Sequence, residues 1–187
     1  MMWKCLRESE IETALQSIDN LQDRTLVVLP ANSGLRPREI GQLNCGSIQV
    51  LKSPNVGIGR VQTKRGERDF FVDPVGLGYL EKWLSERQGS PSDPLFIDSQ
   101  RRRLSSSQIV RRLRRWSLRL GIEALTATGL RNTFLVRLAK FEVGLDILAQ
   151  LGGYGVPRFR KWHVPISRES IIGKYLGAVA SVHRSRC

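Results

Sequence analysis

Apolar residues recur at helical spacing through most of this 187-residue chain, and they give way to short β-like runs in one stretch near its front. Ile11, Ala14, Leu15 and Ile18 keep an i, i+3/i+4 rhythm that Leu26, Val27, Leu29 and Ala31 continue. Residues 8–33 therefore predict two helices, with Asp23 as a cap for the second. Pro37 occupies a favourable first-turn position and Glu39 sits near the positive end of the helix dipole, so a short helix carrying Ile40 and Leu43 inward should follow Arg36. Between Ser47 and Asp73 the runs 48–51, 57–63 and 69–72 are separated by Pro54-Asn55 and Arg65-Gly66, which predicts a small three-stranded sheet. Pro74 ends it. Leu77, Leu80, Trp83 and Leu84 then mark a helix that stops by Gly89, and residues 89–105 read as a loop carrying Arg101-Arg102-Arg103. From Ser105 to Leu120 a helix presents Ile109, Leu113, Trp116 and Leu120 on one face, and further helices are expected at about 129–141, 145–152 and 167–182. The expected fold is mainly α with a small antiparallel three-stranded β-sheet, in one domain, because this length builds one sizeable core and would cramp two.

Charge changes the picture more than composition does. Hydrophobic content of 41% and charged content of 25% are ordinary for a globular protein, but 30 Lys+Arg face 17 Asp+Glu, a net charge of +13. Such an excess attracts polyanions, and neutralising nucleic-acid phosphates releases counterions. The helix over 105–120 concentrates it: Arg111, Arg112, Arg114, Arg115 and Arg119 carry no interleaved acid, so they repel one another unless they face phosphate. The chain shows no basic amphipathic helix with a lipid-facing stripe, and Ile171 to Val182 is too short to span a bilayer, so no membrane partner is expected. The N-terminus lacks the apolar run of a signal peptide. Cys5, Cys45 and Cys187 are odd in number without metal-like spacing, and read as reduced thiols of a soluble cytoplasmic protein.

Two segments share a sharper signal. Ser33-Gly34-Leu35-Arg36-Pro37-Arg38-Glu39 and Thr128-Gly129-Leu130-Arg131-Asn132-Thr133-Phe134 each place an arginine after Gly-Leu at the opening of a helical stretch. A guanidinium offers a planar fork that grips phosphate bidentately, so two converging arginines would clamp a phosphodiester. The pair, with the residues around it, resembles the catalytic domain of the tyrosine recombinases, the integrase family of phages and mobile elements. The resemblance runs from about Asp23 to the C-terminus, leaving only residues 1–22 before it. It implies a single recombinase-type domain over 1–187, without the N-terminal core-binding domain of full recombinases.

In that family a tyrosine attacks a DNA phosphate, forms a 3′-phosphotyrosyl link and expels a 5′-hydroxyl. Two arginines stabilise the pentacoordinate phosphate, a lysine and histidines move protons, and no metal or other cofactor takes part. The resemblance assigns the arginine roles to Arg36 and Arg131, and the lysine role to Lys64 in the Thr63-Lys64-Arg65-Gly66 turn. It assigns double-stranded DNA as partner, with Arg36, Arg131, Arg111, Arg112 and Arg115 as phosphate contacts. A second recombinase subunit, or a second copy of this chain, is a further partner through the C-terminal segment, which family members exchange.

The chain departs from the pattern where protons and the nucleophile belong. Thr128 stands three residues before Arg131, where the family has histidine; it can cap a helix but cannot shuttle a proton at neutral pH. Gly153 follows Leu151-Gly152 where the family has histidine or tryptophan, and nine residues on stands Trp162, followed by His163-Val164, where the tyrosine is expected. An indole has no oxygen to attack phosphorus. Tyr175 is the candidate replacement nucleophile, with an ordinary half-buried aromatic as its other reading; Tyr154 lies too close to the altered histidine position to turn back. Three classes of function follow: a DNA-binding recombinase relative with impaired or lost cleavage, an active strand transferase using Tyr175, or an unrelated basic nucleic-acid-binding protein.

Overall fold

The computed structural model describes residues 4–52, 55–64, 66–140, 144–152 and 172–177. Gly153, Tyr154, Trp162, His163, His183 and Cys187 lie outside the described residues, as do the flanks of the helix expected over 167–182. Seven helices surround one sheet among the described residues: α1 (Glu8–Ser17), α2 (Leu21–Ser33), α3 (Pro37–Ile40), β1 (Ile48–Lys52), β2 (Asn55–Thr63), β3 (Gly66–Val72), α4 (Pro74–Arg87), α5 (Ser106–Leu120), α6 (Ala127–Lys140) and α7 (Leu145–Leu151). Residues 172–177 add a helical turn.

The α2 helix is central because it is apolar nearly all round: Thr25 to Ala31 and Ser33 are buried, and a helix without a polar face must be enclosed. Its N-cap is Asn20, whose side chain accepts the Asp23 amide at 2.8 Å, so the cap lies three residues earlier than expected. Asp23 instead turns its carboxylate inward, 2% exposed. The carboxylate accepts Arg112 Nη1 at 3.0 Å and Trp116 Nε1 at 2.7 Å from α5. That pairing supplies the acid that α5 lacks in its own sequence.

The sheet is antiparallel in the order β1-β2-β3. Period-two alternation sends Val61, Phe70 and Val72 to a core shared with α2, α4 and α5, whereas Val56, Ile58 and Phe71 face a second cluster with Phe134, Leu138, Ile147, Leu151 and Tyr175. Both faces are therefore covered. The third strand begins at Gly66, three residues before the expected Asp69, because Gly66 to Arg68 pair with Thr63 to Val61 through backbone bonds that no apolar residue announces.

Local chemistry sets the remaining boundaries. Asp73 caps α4 by accepting Gly76 N at 2.7 Å, with Pro74 in the first turn. Ser105 caps α5 with Gln108 in a reciprocal capping box, and Gly121 closes that helix in the left-handed conformation. The N-terminal segment is tied to α6, where Leu6 N donates to Thr133 Oγ1 at 2.8 Å and Arg137 grips Glu8 through two 2.7 Å bonds. Cys5 and Cys45 are free thiols.

Candidate nucleic-acid interface

The two Gly-Leu-Arg segments meet in space. Gly34 closes α2 with φ +65°, a conformation that favours glycine, and its missing side chain leaves room for the Phe134 ring, which a Cβ would approach to 2.5 Å. Leu35 is then fully buried and anchors the turn, while Arg36 is the exposed N-cap residue of α3. Glu39 Oε2 accepts the Arg36 backbone amide at 2.8 Å, which fixes the direction in which Arg36 leaves the backbone. On α6, Thr126 Oγ1 accepts Gly129 N at 3.0 Å, and a Cβ on Gly129 would lie 2.0 Å from the Ala124 carbonyl oxygen. The helix thus opens at Ala127, ahead of the expected 129, and Arg131 emerges from its second turn, 7% exposed.

Arg131 Nη1 donates to the Gly34 carbonyl at 2.5 Å, and its Nη2 donates to the Gly152 carbonyl. One guanidinium therefore joins the turn that presents Arg36, the start of α6 and the C-terminal end of α7. A carbonyl-rich helix end is a favourable place for a cation, since the helix dipole concentrates negative charge there.

Lys64 stands exposed where the β2–β3 hairpin turns, next to the Thr63–Gly66 rung and a 2.8 Å bond from Thr63 Oγ1 to Gly66 O. A flexible ammonium at a hairpin tip can reach toward a ligand that the scaffold holds elsewhere. Sequence reasoning passed over Arg68, two rungs from the Thr63–Gly66 pair. Its Nη2 lies 2.6 Å from Glu39 Oε2, its Nη1 donates to Leu151 O at 2.9 Å, and both side chains of the ion pair are buried. The signal was present in the strand alternation, which puts Arg68 on the same face as Phe70 and Val72.

The α5 arginines divide. Arg112 is half-buried and bound to Asp23 and to Ile97 O, so it serves first as a tie between helices. Arg115 lies 3.6 Å from Asp23 but leaves 66% of its side chain exposed, and Arg111, Arg114 and Arg119 face outward. Arg102, Arg111, Arg112 and Arg115 line a cleft of about 460 Å³ with Asp98 and Gln108. The Arg102 amide and guanidinium hold the Asp98 carboxyl below its usual range. Thr128 is exposed near the start of α6 and does not cap it, since Thr126 does.

Tyr175 is enclosed in the second apolar cluster. It is 1% exposed, stacked obliquely on Phe71 and Phe134 with centroids 5.7 and 6.4 Å away, and its hydroxyl donates to Asn32 O at 2.9 Å. Burial, then the Asp73 charge, push its phenol well above the usual value, with Arg137 opposing. A nucleophilic phenol needs the opposite shift and an open path.

A helical bundle with a covered three-stranded antiparallel sheet, its α6 tied through Arg131 to the turn after α2, is the architecture of a tyrosine recombinase catalytic domain. The chain belongs to the phage integrase family, whose sequence model matches residues 4–158. It is 31% identical over 172 residues to the tyrosine recombinase XerD of Xanthomonas campestris, covering 81% of this chain and 51% of that protein. To the XerA recombinase of Pyrococcus horikoshii it is 26% identical, covering 81% and 53%. The chain thus spans about half the length of these relatives. The fold superposes on a crystal structure of XerA recombinase with a TM-score of 0.72 at 20% identity, covering 94% of this chain and 65% of that one. It superposes on the pre-cleavage complex of XerH recombinase with its difH substrate with a TM-score of 0.68 at 18% identity, covering 91% and 53%. Among the described residues no helix is long and apolar enough to cross a membrane.

Proposed function

We propose that this chain is a DNA-binding member of the integrase family that grips backbone phosphate through Arg36, Lys64 and Arg131, supported by Arg111 and Arg115, with strand cleavage impaired or lost. Its role lies in DNA recombination or integration, or in their regulation. The observation that carries the reading is the Arg131–Gly34 bond, which holds the start of α6 against the turn presenting Arg36. The net charge of +13 and the outward arginines of α5 add the sequence-independent attraction that phosphate binding requires. That XerH and the Tn1549 transposon integrase were solved on DNA supports the same partner. The loss of chemistry is supported by Thr128 and Gly153 at the expected proton-transfer positions, and by the enclosure of the Tyr175 hydroxyl against Asn32 O. Removing a nucleophile stops covalent chemistry, and removing proton shuttles slows it by roughly 10²–10⁴ each.

The second reading is an active recombinase that forms a 3′-phosphotyrosyl intermediate on Tyr175, which would require residues 172–177 to leave the cluster around Phe71 and Phe134. Nicked suicide duplexes with a randomised core separate the two readings. Retention of the duplex without a denaturant-resistant adduct is expected. An adduct that disappears in Tyr175→Phe would establish the active enzyme. Binding itself is tested with the Arg36→Ala, Arg131→Lys double variant, which should lose most duplex affinity; undiminished affinity would mean that the Gly-Leu-Arg matches carry no phosphate contact.

A further inference from the structure

Arg68 is 93% enclosed at its side chain, and it bonds α3 beside Arg36 and the end of α7 beside the carbonyl that Arg131 holds. Its Nη2 and Nε bond the two Glu39 oxygens at 2.6 and 3.4 Å, and its Nη1 bonds Leu151 O at 2.9 Å and Asp69 O at 3.4 Å. The Glu39 oxygen that takes Arg68 Nη2 also accepts the Arg36 amide. That carboxylate sits in α3, a helix of four residues, too short to hold its own geometry without outside contacts. What fixes Glu39 therefore fixes the departure angle of Arg36.

The same guanidinium governs the hairpin. On β3, Phe70, Phe71 and Val72 are buried, and Arg68 is the residue nearest the tip whose side chain is anchored in the interior. Beyond it Gln62, Lys64, Gly66 and Glu67 are exposed. The Val61–Arg68 rung is two pairs from Thr63–Gly66, so the Lys64 ammonium is carried on a short ribbon whose root is the Arg68–Glu39 pair. The third contact, to Leu151 O, adjoins the Gly152 carbonyl that Arg131 holds.

We infer that Arg68 is a positioning residue that sets Arg36 and Lys64 in one frame with Arg131, acting through the Glu39 carboxylate. This rests on the phosphate-clamp reading. An ion pair buried this deeply adds little stability beyond what an apolar pair of similar volume would give, because desolvation offsets its attraction. Its geometry is what an apolar pair cannot supply. Only a planar fork reaches a carboxylate and a helix-end carbonyl at once, so lysine is not an equivalent.

The test measures duplex-DNA affinity of the full chain against salt for wild type, Arg36→Ala, Arg68→Lys, Glu39→Gln and the Arg36→Ala, Arg68→Lys double variant, with melting curves for each. One lost phosphate contact makes the log–log salt slope shallower by about 0.9. Arg68→Lys is expected to reproduce most of the Arg36→Ala loss in slope while melting cooperatively, and to add less than half of its own effect once Arg36 is gone. Glu39→Gln, which keeps an acceptor for the Arg36 amide but removes the ion pair, should behave like Arg68→Lys and stands in for it if that variant does not fold. Fully retained slope in both variants, or losses that multiply as for independent sites, overturns the positioning role. If Arg36→Ala changes nothing, the clamp reading itself fails and this inference falls with it.

Discussion

The two Gly-Leu-Arg segments are nearly identical as words and opposite as environments. At the first, Arg36 is exposed at a helix N-cap, and what is buried is the apparatus that aims it: Leu35, Glu39 and, through Glu39, Arg68. At the second, the arginine itself is buried and its guanidinium is shared between two backbone carbonyls from α2 and α7. The two glycines differ in the same way, Gly34 by its left-handed backbone and Gly129 by a carbonyl that approaches too closely for any side chain. A shared motif therefore does not imply a shared duty. Arg36 presents an exposed side chain at a turn, whereas Arg131 holds three elements of the scaffold together.

Substitutions should separate those duties. The largest effect is expected from Arg131→Ala, which removes two charge-assisted bonds and leaves two carbonyls unsatisfied, about 4 kcal/mol of stability in denaturant unfolding. Arg36→Ala should stay within about 0.5 kcal/mol of wild type, as exposed positions do. Equal losses in the two would erase the contrast. Gly129→Ala comes next, at about 3 kcal/mol, because the Ala124 carbonyl is backbone and cannot swing away. Gly34→Ala should cost about 2 kcal/mol, since part of its clash falls on the Phe134 ring, which can shift. A reversed order of the two glycines would show that the motif's first half bears the structural load.

Tyr175→Phe is a smaller probe, at about 1 kcal/mol for one hydrogen bond to Asn32 O. It also has a pH signature. Burial raises the folded-state value above the unfolded one, so the stabilisation is complete below the ordinary phenol range and is lost as pH rises through it. Wild type should therefore lose stability above about pH 10 more steeply than the phenylalanine variant. Parallel curves for the two proteins would place the Tyr175 hydroxyl in solvent.

Most of the fold could be read from apolar residues, because α4, α5 and the sheet recur or alternate with the period their burial demands and α2 is a continuous apolar run. The third strand was read short because Gly66, Glu67 and Arg68 pair through backbone alone, and polar residues leave no trace of that. Asp23 looked like a cap since acidic residues favour helix starts; its bonds to Arg112 and Trp116 on α5 span about ninety residues, which no local pattern encodes. The candidate site followed the same division. Arg36, Lys64 and Arg131 were visible as motif positions, but the burial of Arg131 and the hub at Arg68 depend on carbonyls and a carboxylate brought in from other elements. Tyr175 had two sequence readings, and its enclosure by Phe71 and Phe134 supports the packing one.

Whether Arg36 contacts phosphate without carrying the fold is tested most directly by the salt dependence of duplex-DNA binding in Arg36→Ala beside its melting curve. The expected result is a log–log slope shallower than wild type by about 0.9 with an unchanged melting midpoint. An unchanged slope, or a loss of binding that tracks a loss of stability, would contradict it.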